Sequence, residues 1–347
     1  MISTEALLDK IANGYKPAVN EIMQLLETGN TDEELIYSTA QAITKRIHGD
    51  IIHLRGLIEF SNKCANNCLY CGIRMGATGI KRYRMSLDEI LETAREIKET
   101  SCGTVVLQCG VDPCFISKNL IEVVNAIKKE TGLAITLSVG TKTKRELALL
   151  KKAGADRFLL RFETCNETIF NKIHPSEPLK ARVDCIKNMQ QLDYQAGSGF
   201  MIGLPDSTIE DIARDILFAK ELELDMIGCG PFIPTPGTPL GDKSILEDYS
   251  IYYKTMALIR IMNPNAHIPA ATAFDSLKDK GRDEVIKCGA NVFMPNFTPF
   301  QYKESYNLYP GKPQVDTSVN IMETVNKRLK NLGRRVGTGA GHALRMG

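Results

Sequence analysis

The chain has 347 residues, with 43 lysines and arginines against 41 aspartates and glutamates, a net charge of +2 and 24% charged residues. So even a charge balance argues against nucleic acid or an anionic membrane surface as the main partner. The 43% of hydrophobic residues include no run near the roughly 20 apolar residues of a spanning helix, so no membrane association is expected.

Residues 1–50 predict helices with breaks at Gly14 and at Gly29-Asn30. Glu5, Asp9 and Lys10 interrupt the apolar positions of the first segment, the pattern of an amphipathic helix and not of a secretion signal, and a cytoplasmic location is expected. From residue 51 β-prone runs alternate with amphipathic segments. Strands are expected at 53–58, 104–108, 133–138, 157–161, 195–202, 226–230, 267–270 and 291–294. Helices are expected at 87–99, 117–129, 143–152, 179–191, 209–220, 249–261 and 276–287. Strict alternation of this kind predicts an α/β fold, a parallel sheet closed as a (β/α)8 TIM barrel. The strands carry Val, Ile and Leu on both faces, as a sheet covered on both sides requires. The expected organisation is a helical extension over 1–50, the barrel over 51–312, and a C-terminal helix and flexible tail packed on the barrel over 313–347, the tail starting at the Gly-rich run from Gly333.

Directly after the first predicted strand come Cys64, Cys68 and Cys71, a C-x3-C-x2-C spacing with Tyr70 just before the last cysteine. Three thiolates can hold three irons of a [4Fe–4S] cube and leave the fourth iron open for chemistry, whereas four cysteines usually make an electron carrier. Zinc would want a fourth Cys or His nearby, and no cysteine follows until Cys102. Ten cysteines in an enzyme-sized chain of this kind suggest metal chemistry more than disulfides.

This motif resembles the signature of the radical S-adenosylmethionine (SAM) enzymes. Further stretches narrow the resemblance: 57–62, 81–84, 197–199, 203–205, 230–234, 289–291, 295–296 and 309–311 look like the family of [FeFe]-hydrogenase maturases of the HydE type, in the branch shared with methylornithine synthase and biotin synthase. The resemblance spans about residues 50–312. It implies a [4Fe–4S] cluster on Cys64, Cys68 and Cys71 whose open iron binds SAM and whose reduction cleaves it to a 5′-deoxyadenosyl radical. It implies a small-molecule or organometallic substrate, a ferredoxin or flavodoxin as reductant, and other hydrogenase maturation proteins as partners. Some members carry a second, C-terminal cluster; this chain has no cysteine after Cys288, so none is expected. The chain departs from the family pattern at Cys109, Val111 and Phe162, three positions expected near the cavity.

Glu163 ends the fourth predicted strand, where a carboxylate can face a barrel mouth; the resemblance makes it a SAM ligand and pairs Arg182 with the SAM carboxylate, a role that suits the planar fork of arginine. Tyr70, Ser138, Met201 and Ile233 are implied neighbours of SAM. Arg157 and Arg161 lie four apart on one strand and so share a face. Buried without partners they would be costly, so together they read as an anion site deep in the barrel. The resemblance places Arg161 with Gln108, Thr272 and Ser138 at the substrate end. Phe232 and Ile233 belong to a proline-rich run, 228–239, expected over the barrel mouth. His53, His174 and His267 read as structural. The main alternative is a mutase that acts on lysine or another amino acid, as methylornithine synthase does; a non-catalytic iron–sulfur scaffold is a third reading.

Overall fold

The computed structural model describes residues 2–29, 31–112, 118–312 and 321–344. Ten strands are found among them: β1 (Ile51–Ser61), β2 (Thr104–Cys109), β3 (Ala134–Ser138), β4 (Arg157–Leu159), β5 (Gln195–Ser198), β6 (Met201–Ile202), β7 (Met226–Ile227), β8 (Gly230–Pro231), β9 (Val292–Phe293) and β10 (Arg335–Val336). The sheet runs β1-β2-β3-β4-β5-β7 in parallel register, and β9 returns to β1 through the pairing of His53 with Val292. The seventh expected strand, 267–270, survives only as single bridges, Met226 to His267 and Pro269 to Val292. Those two bridges carry the ring from β7 to β9, so the barrel closes, most loosely at this point.

The fifth and sixth expected strands each break in two. Gly199 adopts φ +155°, and a Cβ there would sit 2.1 Å from the Gly228 carbonyl oxygen. The two glycines let the chains nearly touch, and beyond them β6 and β8 leave the barrel wall and pair with each other at its mouth.

Helices between the strands begin at the caps the sequence encodes. Ser86 with Glu89, Thr143 with Glu146 and Thr208 with Asp211 form reciprocal capping boxes. The helix Tyr249–Met262 is apolar nearly all round, with every residue from Ile251 onward buried. Its outer face is covered by the N-terminal extension: helices Thr4–Ala12, Val19–Glu27 and Thr31–His48 pack onto it, and Lys254 donates to the Thr28 carbonyl at 2.6 Å. Instead of one helix over 276–287 there are two, Ala273–Leu277 and Gly281–Lys287, because the turn between them packs Gly281 tightly against the Phe274 carbonyl.

The C-terminal region closes the opposite end of the barrel. After helix Ile321–Asn331, β10 adds to β1, and the following residues enter the N-terminal end of the barrel as a plug. Thr104 donates to the Ala340 carbonyl at 2.9 Å, and Gly103 lies against the Gly339 backbone. The glycines give the plug a backbone thin enough to enter the barrel, where its carbonyls find buried donors.

Candidate active site

The cysteine loop leaves the C-terminal end of β1 and is tied to its surroundings through the backbone. Ala65 N donates to Val111 O at 2.7 Å, Leu69 N to Ile173 O at 2.9 Å, and Gly72 N to Leu308 O at 2.9 Å. Asn67 N donates to Ser176 Oγ at 2.9 Å. The Arg82 guanidinium donates to the carbonyls of Asn62, Ile73 and Arg74. Gly72 packs so closely that a Cβ would stand 2.0 Å from the Asn307 carbonyl oxygen. An irregular loop held this way keeps its thiols in place before any metal arrives.

Cys64, Cys68 and Cys71 open onto a cavity of about 940 Å³ at the C-terminal mouth of the barrel. That is the face where such barrels do chemistry, and the volume lies at the upper end for small-molecule sites. Among the described residues no three His, Cys, Asp or Glu side chains converge as the ligands of a single ion would. What fits an iron–sulfur cluster is the donor chemistry, three free thiols of one short loop lining a single cavity. Burial raises the Cys68 thiol and pushes Cys71 up to about 12, so a bound cation must supply the charge that ionises them.

Tyr70, Gln108, Ser138, Arg161, Glu163, Arg182, Met201, Ile233 and Thr272 line this same cavity, and Arg157 does not. Arg157 points to the other end of the barrel. Its guanidinium donates to Thr104 at 2.9 Å, Gln195 at 3.1 Å, and the carbonyls of Ala340 and Gly341 at 2.7 and 3.1 Å. It does share the barrel interior with Arg161, but three residues of chain separate the two, and the plug has taken its donors. Of the three family departures, Cys109 and Val111 line the cavity. Phe162 instead turns away from it, fully buried against Phe200 and Phe218. These residues lie beyond the end of β4, where Arg161 and Glu163 line the cavity and the Phe162 ring packs into the core instead.

Glu163 sits in the left-handed region at φ 64°, a strained conformation for a residue with a side chain. It is held by Glu163 N donating to Gly199 O and Met201 N donating to Glu163 O. The buried Asp215 locks the next turn by accepting from Cys165 N at 2.6 Å and Thr164 Oγ1 at 3.2 Å. Arg161 Nη2 stands 3.1 Å from Glu163 Oε2, an ion contact whose angle makes no hydrogen bond, so both groups keep hydrogen-bonding capacity. Arg182 is different. It is anchored within the protein on Glu177 and on the Arg161 carbonyl, with Glu163 Oε1 at 3.7 Å.

Sequence reasoning missed several groups here. Glu59 on β1 pairs with Lys312 at 2.9 Å and accepts from Asn296 at 3.0 Å, and all three line the cavity with Tyr306. His174, read as merely structural, lines it too. Burial, and then the Arg182 and Arg161 guanidiniums, hold its imidazole well below the usual range. No spacing rule joins His174 to a loop some hundred residues earlier; its position at the end of helix Glu167–Ile173, before Pro175, was the one local cue.

Three thiols on a tethered loop, a large cavity at the mouth of a parallel barrel, and an unsatisfied carboxylate–guanidinium pair beside them define a class: an enzyme with a site-open iron–sulfur cluster that cleaves SAM. Residues 58–219 match the model of the radical SAM superfamily. The chain is 42% identical over 305 residues to the [FeFe] hydrogenase maturase subunit HydE of Thermotoga maritima, covering 88% of this chain and 87% of that one. It is 27% identical to the 3-methylornithine synthase of Methanosarcina barkeri, over 95% and 93% of the two chains. The solved structure of methylornithine synthase (PylB) superposes with a TM-score of 0.80 at 24% identity, covering 95% and 97%. That of HydG, a maturase of the [FeFe]-hydrogenase, gives 0.82 at 20% identity over 96% of this chain and 76% of that one. The chain belongs to the radical SAM superfamily, in the family of HydE, and membership implies a [4Fe–4S] cluster and SAM. Among the described residues no helix is long and apolar enough to cross a membrane.

Proposed function

We propose that this protein is a hydrogenase maturase that uses SAM-derived radical chemistry on a small cysteine-bound iron carbonyl cyanide precursor of the diiron subcluster. The observation that carries the reading is the 42% identity to a HydE over nearly the whole of both chains, against 27% to a methylornithine synthase. When bound to Cys64, Cys68 and Cys71, the cluster would supply the electron that breaks a carbon–sulfur bond of SAM.

The remaining roles fall to the chain's own residues. Glu163 and Arg161 offer a carboxylate and a guanidinium for the ammonium, hydroxyl and carboxylate groups of SAM. Arg182 holds the wall behind them through Glu177 and the Arg161 carbonyl, and its remaining N–H groups would be available to the SAM carboxylate. The far end of the cavity, with Gln108, Thr272, Tyr306 and the Glu59–Lys312 pair, would receive the precursor. The proline-rich run and residues 306–312 line the cavity, where they would limit access of water to a radical.

The test is substrate-dependent SAM cleavage by anaerobically reconstituted, dithionite-reduced protein. Stimulation of 5′-deoxyadenosine release by a cysteine-bound iron carbonyl cyanide complex supports the reading. Stimulation by lysine and not by the iron complex would move the protein to the mutase branch.

A further inference from the structure

We infer that His174 is a positioning residue of the cluster, a buried hydrogen-bond donor to the Cys68 sulfur that raises the cluster's reduction potential. The inference rests on the assignment of Cys64, Cys68 and Cys71 as cluster ligands. His174 Nδ1 lies 3.3 Å from Cys68 Sγ, and its Nε2 lies 2.6 Å from the Tyr70 hydroxyl. The three side chains thus form a short chain from the SAM-facing tyrosine to a ligand sulfur.

The donor set decides the direction. A cluster-bound thiolate can only accept a hydrogen bond, so Nδ1 carries the proton and Nε2 accepts from the Tyr70 hydroxyl. Arg182 Nη2 also approaches Nδ1, at 3.4 Å; one of its two N–H groups meets Glu177 at 2.6 Å, and once a cluster thiolate fixes the proton on Nδ1 the other is released towards the cavity.

The ring is fixed in place. It is 2% exposed, stacks on Phe170 at 4.8 Å and 9°, and meets the Tyr70 ring edge-on at 5.4 Å. Its backbone neighbours hold the loop as well, through Leu69 N to Ile173 O and Asn67 N to Ser176 Oγ. A donor aimed at a ligand sulfur stabilises the reduced, more negative cluster over the oxidised one. Tyr70 contributes at one remove, because its hydroxyl proton polarises the imidazole towards Cys68.

The experiment is a potentiometric titration followed by electron paramagnetic resonance on reconstituted wild type and on His174→Phe, His174→Asn and Tyr70→Phe, with iron and sulfide counted in each. His174→Phe keeps the stack on Phe170 and removes the donor. Its reduced-to-oxidised ratio, read at the wild-type midpoint, should fall about tenfold, the weight of one hydrogen bond to a charged group. His174→Asn keeps a donor near the Nδ1 position and should recover most of the shift. Tyr70→Phe should shift the same way by less. If His174→Phe holds a full cluster at the wild-type potential, the inference is wrong; if it cannot hold one, an unchanged potential in Tyr70→Phe overturns it. Wild type without a cluster would instead remove the ligand assignment beneath it.

Discussion

Arg182 is bound to Glu177 through two nitrogens, Nε at 2.7 Å and Nη2 at 2.6 Å from the same carboxylate oxygen, while Glu177 takes Thr141 on its other oxygen at 2.6 Å. With Arg182 Nη1 on the Arg161 carbonyl, this makes a buried tie between three segments of the cavity wall. Arg182→Lys could keep Glu177 or the carbonyl but not both. The substitution should cost about 1–3 kcal/mol of stability, the penalty of one unsatisfied buried group. It should weaken SAM binding through misplacement of Glu163. Urea unfolding and calorimetric SAM titration of the same variant measure the two effects.

Glu163 should matter to SAM more than to the fold. It contacts Arg161 and lies within 3.7 Å of Arg182, yet Glu163 Oε2 has no hydrogen bond of its own. Glu163→Gln preserves size and removes the charge. SAM affinity should fall roughly 10-fold to 100-fold, the value of one hydrogen bond to a charged group, with the cluster content unchanged. Equilibrium binding to the oxidised holoprotein reads the affinity, and an unchanged affinity would remove Glu163 from the SAM site.

Arg157 should do the reverse. Its partners are Thr104, Gln195 and the plug carbonyls at the far end of the barrel. Arg157→Gln should lower stability by about 3 kcal/mol, through several buried acceptors left unpaired. SAM binding should stay within twofold of wild type. Denaturant unfolding and a binding titration, run side by side, separate the two ends of the barrel.

Three histidines predict the acid limb of the stability curve. Burial, then nearby guanidiniums, hold His48 and His53 at about 4, and burial with Arg55 holds His267 at about 2. Their ordinary value is 6.5, so below it the unfolded chain binds protons that the folded chain refuses. Stability is therefore lost as pH falls from about 6.5 towards 4. Asp215 opposes this: burial pushes it up to about 7, so the folded chain keeps its proton while the unfolded chain loses it, and its contribution falls as pH rises to 7. Each group contributes at most about 1.4 kcal/mol per pH unit, so the histidines outweigh the aspartate. Urea unfolding of the metal-free chain at pH 7.5 and 5.5 should show lower stability at 5.5, and Asp215→Asn should widen the gap.

The alternation of strands and helices was legible because each segment carries its own period and cap, as at Ser86, Thr143 and Thr208. The cysteine loop was legible because its spacing is local. What the sequence hid depends on contacts between distant segments. Gly199 and Gly228 break two expected strands by packing on each other. Arg157 is claimed by a plug more than 180 residues away, and His174 reaches Cys68 across 106 residues. Glu59 reads as one polar residue in an apolar strand until Lys312 arrives from the far end of the barrel.

The most direct measurement quantifies 5′-deoxyadenosine and methionine from dithionite-reduced, reconstituted protein supplied with SAM, beside Cys68→Ala treated identically. Equimolar products from the wild type, and none from a folded Cys68→Ala, are the expected result. Wild-type protein that carries a complete cluster and leaves SAM intact would contradict the assignment of this cavity as a SAM-cleaving site.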